Sequence, residues 1–389
     1  MKSLPPRFRA AIVGISGYGH IHLQLAREWV GRGDLDLAAA VVINRNEVAE
    51  EAALLETNGT RIYPTFDEMI AREAGRIDLC LIPTGIALHT RMTLAALGAG
   101  MNVLVEKPLA SSVAEVDAIA AASKTSGRFV AVGFQDIYNP QVQQVKERLL
   151  DGLLGRLRSA RFLGLWPRPK TYFTRNGWAG RVQVEGIPVL DSPLNNAFAH
   201  FVNLALFFSG EAFDESAIVE NVHARLWRTN AIEMFDTGVV TATTRGGVEL
   251  WLGASHACVQ TREPEIHLEG DRGRLVWRHE NDYVIETKQG RSERVILPAA
   301  AEARRHMMQA VVNRLAGRAA FLCTPGIARR HTELISRLSD STPIESLPGH
   351  PCPIIAAGKD STILAVPGLE EGLLAAFENR TIPVLARTQ

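Results

Sequence analysis

Between residues 10 and 133, continuous apolar runs alternate with stretches of helical periodicity. "AAIVG" (10–14), "LAAAVVI" (37–43), "IDLCLI" (77–82), "NVLV" (102–105) and "RFVAVG" (128–133) are nearly free of polar residues, as strands buried on both faces are. "HIHLQLAREWVGRG" (20–33) instead spaces Ile21, Leu25 and Trp29 along one helical face before a glycine stop, and helix patterns fill the other intervals. Strands joined by helices predict an α/β fold with a doubly wound parallel sheet, whose ligands bind at the carboxyl ends of its strands. The rhythm then changes. "GRLRSARFLGLW" (155–166), "AIVENVHARLW" (217–227), "TGVVTATT" (237–244), "VELWLGASH" (248–256) and "EIHLEGDRGRLVW" (265–277) alternate or are β-rich between turn signals, predicting an open, mostly antiparallel sheet. "DSTPIESLPGHPCP" (340–353) reads as a surface connection, and "GLEEGLLAAFENR" (368–380) as a last helix. A length of 389 residues makes two domains the default, divided here into 1–135 and 136–389.

Composition narrows the partners. Lys+Arg and Asp+Glu balance at 42 each, so the overall charge draws in neither nucleic acid nor an acidic membrane. Cys80, Cys258, Cys323 and Cys352 are far apart, with no CxxC pair for zinc and no disulfide framework, which suits a reducing cytoplasm. The start, "MKSLPPRFRAAIVG", lacks the apolar core of a signal peptide, and no later stretch approaches about 18 apolar residues. The expectation is a cytoplasmic protein with a small-molecule partner. His20 and His22 are two apart and share no helical face, so no metal site is expected there.

The turn after the first strand, "GISGYG", sets Gly14 at the tight turn and Gly19 where a helix packs closely. Ser16 stands where the dinucleotide fingerprint has its middle glycine, and Gly17 beside it leaves the backbone open to a pyrophosphate at the helix N-terminus. NAD-binding sheets carry an acid about 20 residues on, at the end of the second strand. Asn44 and Arg45 stand there instead, an amide and a guanidinium that favour NADP over NAD.

Taken together, "GISGYGHIH", "IPTGIALH" (82–89), "ALGAGMNVLVEKPLASS" (96–112) and "VGFQDIYNP" (132–140) resemble the Gfo/Idh/MocA oxidoreductases in order and spacing. The resemblance implies an N-terminal Rossmann domain and a C-terminal α/β domain whose open sheet often forms an oligomer interface, hence a homo-oligomer, dimer or tetramer. It also implies that Lys107 of the EKP element faces nicotinamide and substrate hydroxyl and assists proton transfer, that Glu106 orients the site, and that the bond before Pro108 is cis. Burial and the positive ring of oxidised nicotinamide would lower the lysine pKa toward a useful range. Ser16, Tyr18, Pro83, Thr84, His89 and Gln135 fall on the motifs that border the cofactor. Gly85 and Ile86 depart from the family's usual proline and asparagine.

A second constellation lies in "VLDSPLNNAFAHFVNLALFFSG" (189–210), where the family shows DxxxH at the start of a helix, with a second acid after the histidine. Aligned on His200 and Gly210, Asn196 takes the place of the aspartate and Asn203 that of the later acid. Asn196 can hold a substrate hydroxyl but cannot take its proton, so Lys107 and His200 are left the acid/base work, with Asp191 within reach from the loop. In "WPRPKTYFTRNGWAG" (166–180), aromatic Tyr172 and Trp178 suit a sugar ring, and Arg168, Lys170 and Arg175 suit a substrate carboxylate; a subunit interface is the other reading. These residues point to an NADP- or NAD-dependent oxidoreductase acting on a secondary alcohol of a sugar, polyol or related compound. The alternatives are a non-catalytic dinucleotide- or sugar-binding regulator, and an enzyme that keeps its cofactor bound and shuttles hydride between two sugars.

Overall fold

The apolar runs of the first third form strands where they occur. β1 (Phe8–Val13), β2 (Leu35–Val41), β3 (Arg61–Tyr63), β4 (Leu79–Ile82), β5 (Asn102–Val105) and β6 (Val130–Val132) pair in parallel in the order β3-β2-β1-β4-β5-β6. This is a computed structural model, and it describes residues 7–356 and 359–385; the first six residues of the N-terminal stretch lie outside them. The crossovers are α1 (Tyr18–Arg32), α2 (Ala49–Thr57), α3 (Phe66–Glu73), α4 (Ile86–Gly98) and α5 (Val113–Ser126). Helix ends follow the local chemistry: Ser112 and Glu115 form a capping box on α5, and α1 stops where Gly33 enters the left-handed region at φ 85°. The strand order reverses at β1 and β4, which puts the loops after those two strands at the usual ligand position of an open parallel sheet.

The next stretch builds a different layer. After α6 (Pro140–Leu150) come β7 (Leu157–Leu165), the one-turn α7 (Lys170–Phe173), a hairpin of β8 (Gln183–Val184) and β9 (Ile187–Pro188), and α8 (Ala199–Phe208). There follow β10 (Val219–Arg228), β11 (Thr237–Thr244), β12 (Glu249–Ser255), β13 (Arg262–Gly270), β14 (Gly273–Arg278), β15 (Asp282–Thr287) and β16 (Ser292–Ile296). The chain then runs through α9 (Ala300–Leu315), α10 (Pro325–Ser341), β17 (Ile344–Ser346), β18 (His350–Ala356), β19 (Lys359–Ala365) and α11 (Leu369–Asn379). Nine strands make one sheet in the order β16-β15-β14-β13-β7-β12-β11-β10-β17, with β7–β12 and β10–β17 parallel and the other pairs antiparallel. Residues 340–353, expected as a surface connection, therefore contain β17 and the start of β18. Ile344, Glu345 and Ser346 pair with Leu226, Trp227 and Arg228, so backbone pairing prevails over the turn-rich composition.

The chain divides into two compact units, Met1–Asn139 with Ala301–Arg329, and Pro140–Ala300 with Arg330–Gln389. Residues 301–329 return to the first unit, where Arg305 pairs with Glu28 at 2.9 Å, Arg329 pairs with Asp117 at 2.7 Å, and the Cys323 carbonyl accepts from Val132 N–H. In the second unit, β7 separates two cores by alternation. Phe162 packs against Phe198 and Phe201 near α8, whereas Leu163 and Leu165 join Trp227, Val239 and Trp251 under Leu369, Leu373, Ala376 and Phe377 of α11. Gly164 is required on the α8 side, because a Cβ there would sit 2.6 Å from the Phe198 ring. The C-terminal end of α8 is held by Lys146, fully buried, whose amine donates to the carbonyls of Phe207 and Gly210; burial pushes its pKa down to about 7. Among the described residues no helix is long and apolar enough to cross a membrane, and no group of three or more His, Cys, Asp or Glu is placed to hold a metal. The four cysteines are free thiols.

Candidate active site

In the first unit the glycine turn has the geometry a diphosphate needs. Gly14 (φ 88°) and Gly17 (φ 55°) both lie in the left-handed region. A Cβ on Gly19 would stand 2.5 Å from the Gly14 carbonyl oxygen and 3.7 Å from Pro83, so the helix start, the turn and the loop after β4 meet here. The N-terminus of α1 has no side-chain cap and no acid in its first turn, leaving its amides for an anion. Ser16, Gly17 and His20 line a groove of about 590 Å³ whose other wall is Asn46–Glu51, immediately past Asn44 and Arg45. Those two residues are exposed, and Arg45 is already paired with Glu56 on α2 at 2.5 Å. Because both partners are exposed, that ion pair is weak and exchangeable.

The EKP element sits at the carboxyl end of β5, and the Lys107–Pro108 bond is cis, as the family resemblance implies. Glu106 is buried. Its Oε1 lies 2.8 Å from His22 Nε2, and its Oε2 accepts from the Lys107 backbone N–H at 3.2 Å. His22 Nδ1 is buried without a hydrogen-bond partner, so the ring proton belongs on Nε2, donating to the carboxylate. Burial works against ionisation of Glu106, but the His22 hydrogen bond, the Lys107 charge and the Lys107 backbone N–H outweigh it and hold its pKa below the ordinary value. Gly133 completes this pocket, since a Cβ there would lie 2.7 Å from Glu106 Oε1. Tyr18 packs against His22 with ring centroids 5.8 Å apart; the Glu106 charge and then burial raise its pKa, with Arg304 from the returning segment opposing them.

His89 is fully buried, with Nδ1 2.8 Å from the Pro108 carbonyl and Nε2 3.0 Å from that of Thr84. It thus ties the loop after β4 to the EKP turn, and burial lowers its pKa against the pull of both carbonyls. A neutral imidazole can donate to only one of them. Gln135 is buried in the short 3-10 turn after β6, next to Asp136, which is buried as well.

In the second unit the structure brings Asp191, Asn196 and Tyr172 together. Asn196 is not on the helix: α8 starts at Ala199, and residues 192–198 form turns in which Asn196 N–H donates to the Ser192 carbonyl. Four residues apart, Asn196 and His200 would share one face of a helix, but Asn196 stands before it, where its Nδ2 donates to Asp191 Oδ1 at 2.7 Å and Gly180 N–H donates to Asp191 Oδ2 at 2.6 Å. His200 is half-buried in the first turn of α8, while Asn203 is fully buried among the apolar residues of that helix.

Around Tyr172, Arg168 lies 4.8 Å and Arg175 3.7 Å from the ring centroid, and they also reach Trp166 (5.5 Å) and Trp178 (5.1 Å) respectively. Burial raises the Tyr172 pKa; Asp191 adds to this and the two arginines oppose it. His256, which the sequence does not single out, is buried against Tyr172, Phe173 and Phe198, with its Nδ1 2.8 Å from the Trp166 carbonyl. Burial and Arg168 push its pKa down to about 3, so it stays a neutral ring. His22, Arg304 and His256 are the neighbours that sequence reasoning misses, each joined to its partner across a long stretch of chain.

The model of an oxidoreductase family with an NAD-binding Rossmann fold matches residues 8–134, and that of the Gfo/Idh/MocA C-terminal domain matches residues 142–276. An oxidoreductase subunit from Amycolatopsis mediterranei named for UDP-kanosamine synthase is 29% identical over 280 residues, spanning 68% of this chain and 73% of that one. Among solved structures, the WlbA dehydrogenase of Bordetella pertussis, in complex with NADH and UDP-GlcNAcA, superposes with a TM-score of 0.71 at 20% identity, over 86% of this chain and 96% of the other. A 3-ketoreductase from Actinomadura kijaniata, in complex with NADP and TDP-benzene, gives 0.69 at 19% identity, over 88% and 100%. These likenesses to solved structures speak to the fold.

Proposed function

The chain belongs to the Gfo/Idh/MocA family of oxidoreductases, and on that premise we propose that it moves a hydride between NAD(P) and a secondary alcohol or carbonyl of a sugar, polyol or related compound. The observation that carries this reading is the buried His22–Glu106 pair beneath Lys107, at the carboxyl end of a strand beside the glycine turn. The relative named for UDP-kanosamine synthase, 29% identical to this chain, supports a sugar as the substrate class. When bound, the nicotinamide supplies the hydride acceptor or donor. The residues of the chain do the rest. Gly14, Ser16, Gly17, Tyr18 and Gly19 cradle the diphosphate, with Pro83, Thr84, His89 and Gln135 shaping the loops around the ring. Glu106 orients Lys107, and Lys107 and His200 hold or move the hydroxyl proton. Asp191 and Asn196 bind substrate hydroxyls, Asp191 restoring a carboxylate where the aligned position has only an amide. Tyr172 and Trp178 offer faces to a sugar ring. Nicotinamide absorbance across a panel of sugars, polyols and their acids tests the reading, and absence of turnover with every member in both directions would favour the non-catalytic regulator.

We place cofactor binding in residues 1–135 and substrate binding in 136–389, in a cytoplasmic protein, as the free cysteines suit. Within NAD(P), NADP is preferred. A 2′-phosphate carries nearly two charges and displaces Glu56 from Arg45, because the exposed pair is worth little. Glu56→Gln should therefore tighten NADP binding a few-fold and leave NAD unchanged, whereas Asn44→Asp should reverse the preference by like-charge repulsion. Calorimetric titration of both nucleotides decides this, and tighter binding of NAD by the native chain would remove the assignment to Arg45.

A homo-oligomer, dimer or tetramer, is proposed as well. The α11 cluster covers β7 and β10–β12 and draws no residue from β14–β16, where Ile296 is 62% exposed. Light scattering should report two or four subunits; a monomer at micromolar concentration would sink the proposal.

A further inference from the structure

Resting on the oxidoreductase reading, we infer that the substrate carries an anionic group, a carboxylate or a phosphate, and that Arg168 and Arg175 bind it. Most arginines on this unit's sheet have a carboxylate of their own: Arg158 has Asp271, Arg161 has Glu269, Arg225 has Glu345, and Arg274 has Glu286. Among the described residues, Arg168 and Arg175 make no ion pair. They are nevertheless positioned. Arg168 is half-buried against Trp166 and Tyr172, and Arg175 is stacked on Tyr172 and donates to the Tyr172 carbonyl.

Stacking occupies the flat face of a guanidinium and leaves its N–H edge free, the edge that grips a carboxylate or phosphate with two parallel hydrogen bonds. Arg168 Nε is buried and has no hydrogen-bond partner, an exception of the kind that marks an unfilled acceptor position. The local charges agree. His256 is neutral, and Asp191 is the acid that Tyr172 senses, its two oxygens already accepting from Gly180 and Asn196. At the Tyr172 ring itself two cations face one hydrogen-bonded carboxylate, with exposed Lys170 nearby; the other acids near Arg168 are engaged elsewhere, Glu263 with Trp166 Nε1, Asp236 with Thr229 and Asn230, and Glu370 with the Val259 and Gln260 N–H groups. The hydroxyl-binding pair Asp191 and Asn196 and the anion-binding pair Arg168 and Arg175 thus flank one aromatic ring, Tyr172, which fits a ligand with hydroxyls at one end and an acid at the other.

The test is calorimetric titration of the full chain, saturated with NADP, against matched probes: D-glucuronate and D-glucose, D-gluconate and D-glucitol, D-glucose 6-phosphate and UDP-glucose. At least one acid should bind roughly ten- to hundred-fold more tightly than its neutral parent, the usual worth of a charge-assisted pair, and less so at high salt. The carboxylate and phosphate arms identify which anion is meant. Arg168→Gln and Arg175→Gln should each remove most of that preference, and Arg168→Lys should keep only part of it, while melting temperature and nucleotide affinity confirm that the variants fold. Neutral parents binding as well as the acids, no measurable binding of any acid, or a preference that survives in the double glutamine variant would each overturn the inference. Turnover measured on the same probes separates the two proposals. Acids bound but never oxidised or reduced leave the anion site standing and remove the oxidoreductase reading, and neutral sugars turned over without acid preference do the reverse.

Discussion

Replacing Lys107 by alanine should lower turnover by about two orders of magnitude or more, the usual contribution of a positioned acid or base, while nucleotide affinity changes only a few-fold. The difference follows from where the residue sits. The diphosphate cradle belongs to the turn at Gly14–Gly19 and the start of α1, whereas Lys107 follows β5, held from below by Glu106 and His22. His200→Ala should lose turnover similarly if it shares the proton work, and Asn196→Ala should mainly raise KM, since an amide holds a hydroxyl without titrating. Steady-state kinetics on a verified substrate, beside nucleotide titrations of each variant, gives the answer. Near-native turnover in both Lys107→Ala and His200→Ala would end the proposed mechanism.

The support under Lys107 was only half legible in the sequence. EKP identifies Glu106 and Lys107 because the motif is local, but nothing local says that His22, 84 positions earlier, is the partner of the glutamate. In the sequence His22 is one of two histidines at the start of a helix, and the spacing that argues against a metal pair is silent on a carboxylate arriving from another strand. The same limit hides Arg304, which reaches Tyr18 only because residues 301–329 return to the first unit.

Elements were legible in proportion to how fully they are buried. β5 is buried at all four positions and matches "NVLV" end to end, whereas β3 escapes notice as three residues at the sheet edge with Arg61 exposed. β17 was masked by proline and serine because backbone pairing with β10 demands no apolar pattern from it. For the cofactor, the sequence shows Arg45 but not that Glu56, eleven residues on, lies against it, so the strength of the NADP preference depends on an exchange between a side chain and a phosphate.

The missing family acids are where structure adds most to the chemistry. The aligned position holds Asn196, but Asn196 donates to buried Asp191, so a carboxylate lies one hydrogen bond from the place the family gives to an aspartate. Asp191→Asn removes the charge and preserves the shape: the new amide can still accept from Gly180 N–H through its oxygen, and Asn196 can flip to accept from its NH₂. Folding should therefore be little affected, and kcat/KM should fall by roughly a hundred-fold if the carboxylate acts on the substrate hydroxyl. Asp191→Ala differs, because it strands the buried Gly180 N–H at about 1–3 kcal/mol and leaves the half-buried Asn196 amide without its acceptor, and it should lower the melting temperature as well. The decisive variant is the exchange, Asp191→Asn with Asn196→Asp, which returns one carboxylate to the pair on its other member. If the pair acts as a unit, the exchange should recover kcat/KM to within about tenfold of the native chain, a rescue that a merely structural Asp191 would not produce. Near-native kcat/KM in Asp191→Asn alone would show that the charge is not used, and would leave His200 and Lys107 as the only groups able to move the proton.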